Sequence, residues 1–188
     1  MREKGLPLYA LESGDPLSEF DAIGFSLGYE MAYTTVLEML DLAGIPLRSA
    51  ERTSLTPLVF AGGSVCCNSE PMAYFFDLMI IGEGESVDGE VLQLLREAKA
   101  AGWSKAEFLR RAALIGGVYV PSLYTPEYNG DGTLKAMHAA PGAPERITKR
   151  IVTDFENSCF PVDAIVPSTE IVHDRVGLEL FRGCIRGC

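Results

Sequence analysis

Asp77-Leu78-Met79-Ile80-Ile81-Gly82-Glu83-Gly84-Glu85 is the stretch on which the fold turns. A short continuous apolar run, bounded by a charge and a glycine, fits a strand covered on both faces. The Gly-Glu-Gly-Glu that follows ends the run, and a new periodicity begins. From Val87 to Ala101, Val91, Leu92, Leu94 and Leu95 recur at helical spacing, and Gly102 supplies the stop. A strand, a glycine turn and a long helix form the first half of a strand–helix–strand unit. That unit implies a parallel sheet with helices on its faces.

The same alternation runs outward in both directions. Upstream, residues 20–27 form an apolar strand after a Gly-Asp-Pro turn, and 30–43 form a helix with Met31, Val36, Leu37, Leu40 and Leu42 apolar and Gly44 beyond it. Residues 57–63 form a second strand. Asn68 or Ser69 then caps a short helix with Pro71 in its first turn. Downstream, Ser104 with Glu107 three residues later is a capping box, and the helix covers 108–114. Three parallel-type strands are fewer than the five or six of a typical doubly wound domain, so further material is expected at the N-terminus.

After Gly116-Gly117 the pattern changes. Residues 118–124 have strand character, and Tyr128-Asn129-Gly130-Asp131-Gly132-Thr133-Leu134 is a hairpin turn signal. Residues 141–167 are rich in proline and charge and fit an extended linker. Strand character returns at 170–180. The domains expected are 1–115, an α/β domain incomplete at its start; 116–169, hairpin and linker; and 170–188, the start of a second domain.

Composition narrows the function. Of 188 residues, 47 % are apolar, as in a globular protein with a core. A net charge of −10 opposes a broad nucleic-acid-binding surface on this portion. Five cysteines, Cys66, Cys67, Cys159, Cys184 and Cys188, do not space as a disulfide framework. Residues 1–7 lack the apolar region of a signal peptide, and no apolar run reaches the ~20 residues of a membrane span. The expectation is a cytoplasmic protein with reduced thiols and no membrane segment.

The last residues carry the chemistry. Gly177-Leu178-Glu179-Leu180-Phe181-Arg182-Gly183-Cys184-Ile185-Arg186-Gly187-Cys188 brings an apolar run into a Gly- and Arg-rich loop with two cysteines. Neighbouring thiolates on such a loop suit a soft metal or an iron–sulfur cluster, but two cannot complete the site. Either another chain completes the site or the sequence is part of a longer protein, and the second is the expectation. Residues 180–188 resemble the opening of the radical S-adenosylmethionine (radical SAM) motif, Cys-x3-Cys-x2-Cys, which follows the first strand of a partial barrel. The resemblance implies that Cys184 and Cys188 are the first two ligands of a 4Fe–4S cluster whose fourth iron is held by SAM. The third cysteine would fall three residues past Cys188. The isolated chain would then be inactive.

Ala61-Gly62-Gly63 together with 77–85 resembles the cobalamin-binding-type domain that precedes many radical SAM cores. That resemblance implies a partial flavodoxin-like parallel sheet, followed by the linker and the first strand of a truncated barrel. Ligands of open α/β sheets bind beyond the carboxyl ends of the strands. The cofactor contacts expected there are Ser26, Gly62, Gly63, Gly82 and Glu83, since glycines allow close backbone approach and helix N-termini favour anions. Neither His138 nor His173 stands in the Asp-x-His-x-x-Gly setting by which such domains ligate cobalt. Tight strand-to-helix turns with no ligand explain the glycines equally. Glu83 and Glu85 could serve acid–base chemistry or complement the helix dipole. Cys66 and Cys67 fit buried, inert thiols. Arg182 and Arg186 would favour an anionic cluster by charge, or be solvated. An RNA or ribosomal substrate follows from family analogy alone. The rival reading is a stand-alone flavodoxin-like ligand-binding or interaction module.

Overall fold

The computed structural model describes residues 1–158, 168–172 and 177–186. It divides into two compact units, 1–151 and 152–188.

The first unit is an α/β structure. Three parallel strands, Ala22–Ser26 (β1), Leu58–Gly62 (β2) and Leu78–Ile80 (β3), are joined on one edge by a short antiparallel strand, Val118–Tyr119 (β4). The order is β1-β2-β3-β4. The sheet is thus mostly parallel, with one reversed strand at its edge.

The helices are Tyr33–Leu42 (α1), Gly84–Ala101 (α2) and Lys105–Ala112 (α3). One core lies between the sheet and α1, where Ile23, Phe25 and Leu27 meet Val36 and Leu40. The other lies under α2 and α3, where Leu58, Leu78 and Ile80 meet Val87, Val91, Leu95 and Phe108. Strands buried on both faces account for the unbroken apolar runs at 58–61 and 78–81. The Ser104 hydroxyl accepts the Glu107 amide at 3.2 Å and caps α3.

Two expected elements differ. The strand expected over 118–124 is interrupted: a single 3-10 turn at Pro121–Leu123 separates β4 from Tyr124–Tyr128 (β5). Proline has no amide to donate to a ladder. The short helix expected after Asn68 is instead two 3-10 turns, Ser64–Asn68 and Glu70–Met72. β5 pairs antiparallel with Leu134–Ala139 (β6) across the 129–133 turn. There Asp131 accepts the Thr133 amide at 3.0 Å and its hydroxyl at 2.7 Å.

Residues 149–151 return to the sheet. The Arg150 amide donates to the Ile81 carbonyl at 2.8 Å, and the Glu83 amide donates to the Arg150 carbonyl at 3.1 Å. This short parallel bridge continues the edge beyond Gly117, whose carbonyl accepts the Ile81 amide at 2.7 Å. So part of the expected linker extends the sheet.

In the second unit, residues 177–181 form no strand. Leu178, Leu180 and Phe181 are about three-quarters exposed, at 74 %, 77 % and 75 %. A strand is stabilised by its neighbours' hydrogen bonds, and among the described residues this run has none. Cys159, His173 and Cys188 lie outside the described residues. No helix among the described residues is long and apolar enough to cross a membrane.

Candidate functional site

The carboxyl ends of β1, β2 and β3 open onto a cleft of about 410 Å³. Gly24, Ser26, Phe60, Gly62, Gly63, Ile80, Gly82 and Asp88 contribute to its wall. Four of the five residues expected from sequence therefore share one cavity. Glu83 is the exception: it stands at the N-terminal edge of α2 and is not part of the lining.

The glycines have structural reasons of their own. Gly63 has φ 111°, and a Cβ there would run into the Leu27 main chain, 2.9 Å from its carbonyl carbon. Gly82 has φ 110°, and its Cβ would meet the Arg150 backbone, 2.6 Å from the amide nitrogen. Both positions demand glycine because another stretch of the same chain passes over them. Around Gly82, the Arg150 side chain also reaches the Ser86 hydroxyl at 3.2 Å and pairs with Glu90, tying the bridge to the first turns of α2.

The polar groups of the cleft are few. Asp88 is held above the usual carboxylate range, first by burial and then by the neighbouring Glu85. Glu85, in the first turn of α2, complements the helix dipole. Among the described residues the lining holds no histidine and no cysteine. His138 lies on the hairpin, where it pairs with Glu127 at 2.8 Å.

The thiols divide sharply. Cys66 is buried, and that burial, with Cys67 adding to it, pushes its thiol up to about 11. It is protonated and inert at neutral pH. Cys67 and Cys184 are exposed. The Cys184 sulfur accepts the Arg186 amide at 3.4 Å. Arg182 is engaged elsewhere: its guanidinium forms a two-point contact with Glu179, at 2.7 and 3.0 Å, and lies over the Phe155 ring at 5.4 Å. It holds Glu179 below the usual carboxylate range. The charge that could have served an anionic site is thus matched locally. No group of three metal-ligating side chains occurs among the described residues.

One cluster escaped the sequence reading. Asp77 is buried at the start of β3 and meets Arg52 at 3.1 Å and Lys105 at 2.7 Å. It also accepts the Ser49 hydroxyl at 2.5 Å and the Val59 amide at 2.8 Å. Arg52 donates further to the carbonyls of Pro46, Leu47 and Phe75. Burial pulls the Lys105 ammonium below the usual lysine range, against the opposing pull of Asp77. Both Asp77 carboxylate oxygens are hydrogen-bonded, and the cluster lies at the amino end of β3, away from the cleft. It is a structural lock. The available signal was a charged residue opening an otherwise apolar strand, which requires buried partners.

The family model for radical SAM proteins, N-terminal region, matches residues 1–121. The chain belongs to this family. An uncharacterized protein of Methanocaldococcus jannaschii is 32 % identical over 104 residues, which are 54 % of this chain and 21 % of that protein. The chain thus matches about a fifth of that relative's length. No solved structure matches.

Proposed function

We propose that this chain is the N-terminal part of a radical SAM enzyme, and that Cys184 and Cys188 are the first two cysteine ligands of its 4Fe–4S cluster. The observation that carries the reading is one of co-occurrence. A radical SAM N-terminal family region at 1–121 is followed, in the same chain, by a Cys-x3-Cys loop at 184–188.

The donor chemistry fits. Cys184 is exposed, and an amide is already directed at its sulfur. Two thiolates do not complete such a set, so Cys184 and Cys188 need a third cysteine from the longer protein. When bound, such a cluster supplies the electron that splits SAM reductively into methionine and a 5′-deoxyadenosyl radical. The part played by this chain's own residues is narrower: Cys184 and Cys188 anchor iron, and Glu179 holds Arg182 beside the loop. Residues 170–188 then open the barrel domain, and 1–115 with the hairpin and linker stand before it. A reducing compartment such as the cytoplasm suits these thiols.

Cobalamin is left out of this proposal. Among the described residues the cleft lining includes no imidazole for cobalt, and Gly63 and Gly82 are accounted for by the chain's own backbone.

The test is anaerobic reconstitution of the full-length protein. Expected is about four irons per chain, with 5′-deoxyadenosine formed from SAM under a strong reductant. Cys184→Ala and Cys188→Ala should each lose cluster and product, whereas Cys67→Ala should lose neither. Retention of a full cluster in both Cys184→Ala and Cys188→Ala would overturn the assignment.

A further inference from the structure

The two edge strands differ: β4 is two residues long and buried, whereas β1 is five residues long with Gly24 and Ser26 exposed. β4 and the Arg150 bridge close the β3 edge. On the opposite edge, β1 has β2 as its one strand neighbour among the described residues. The Asp21 carbonyl accepts the Leu58 amide, and the Leu27 amide donates to the Gly62 carbonyl. Main-chain direction alternates along a strand, so the N–H and C=O groups of Ala22, Gly24 and Ser26 point away from β2.

One face of β1 is open as well. Ile23, Phe25 and Leu27 are buried against α1, whereas Gly24 and Ser26 on the other face are exposed. Parallel sheets are covered on both faces. A helix placed over this stripe would lie close to the sheet. Its floor is two small residues and the Phe60 ring, which stands 2.8 Å from where a Gly24 Cβ would be. The neighbouring wall carries the Asp88 carboxyl, so the arriving surface should present a hydrogen-bond donor to it.

We infer that this cleft is the seat of a further strand and helix of the parent polypeptide, the strand adding parallel to β1 and the helix covering Gly24, Ser26 and Phe60. The inference rests on the reading of this chain as part of a longer protein, a reading the archaeal relative's extra length favours. A second copy fits less well. Pairing two β1 edges about a twofold axis would be antiparallel, and it would leave the Gly24–Ser26 face bare.

Amide hydrogen exchange on the 188-residue chain and on the full-length protein tests this. In the 188-residue chain the Gly24 and Ser26 amides should exchange nearly freely. In the full-length protein they should slow by about 100-fold or more. Ser26→Lys should leave the melting temperature of the 188-residue chain unchanged and lower that of the full-length protein. Unprotected amides in the full-length protein would overturn the inference, as would protection in the 188-residue chain accompanied by a dimer in light scattering. Neither readout involves SAM or iron. Loss of the cluster assignment and loss of this one can therefore be told apart.

Discussion

Two apolar stretches of this chain look alike as sequence and behave differently as structure. Leu78-Met79-Ile80 is completely enclosed as β3, while Leu178, Leu180 and Phe181 are largely exposed and form no strand. Composition does not separate them. β3 has β2 and β4 beside it, α2 and α3 on one face, and the α1 core on the other. The 177–181 run has none of these neighbours among the described residues. Burial of apolar surface is a cooperative property of partners, and a strand signal is a promise that partners exist.

The sharpest way to break this comparison is to remove one acid from each unit. Asp77→Ala leaves Arg52 and Lys105 buried without their carboxylate. It should cost about 3–5 kcal/mol in urea denaturation of the first unit. Glu179→Ala removes an exposed partner of Arg182 and should leave the melting transition where it was. Equal effects would show that the Asp77 cluster is not the lock its burial implies.

The next effect belongs to Gly63. Gly63→Val should cost about 1–3 kcal/mol from the left-handed backbone, with the Leu27 clash adding to it. Gly28→Ala, with nothing within 4 Å of its Cβ, should fall within about 0.5 kcal/mol of wild type. The contrast is read by thermal melts. A tolerated Gly63→Val would mean that the strand ends are looser than their close contacts indicate.

A smaller effect is expected from pH. The Cys66 thiol titrates near 11 when folded and near 9.0 when exposed. Below pH 9 both states keep the proton, and the stabilising contribution is intact. Between 9 and 11 the unfolded chain releases its proton first, so stability falls, and above 11 the contribution is gone. Cys66→Ala should lose less stability than wild type across that window. Parallel loss in the two proteins would remove Cys66 as the cause. At neutral pH, a thiol reagent should modify Cys67 and Cys184 quickly and Cys66 only on unfolding.

The smallest effect is expected from Phe181→Ser. Phe181 is 75 % exposed, so the substitution should not move the melting transition of the 188-residue chain. In the full-length protein, where the proposed barrel would bury that strand, the same change should destabilise. A drop in the short chain would show that 177–181 already has partners.

Local signals fixed what depends on near neighbours in sequence. The strand–glycine–helix order around Gly82, the Ser104 cap and the turn at 129–133 each rest on residues a few positions apart. Their physics is likewise local: turn chemistry, capping and side-chain period. Only the tertiary structure decided the rest. It brought residues 49, 52 and 105 to Asp77, set Leu27 against Gly63 and Arg150 against Gly82, and reversed β4 at the sheet's edge. These contacts join positions tens of residues apart. Hydrophobic period carries no record of which distant charge or backbone will arrive, since that is chosen by packing the whole sheet at once.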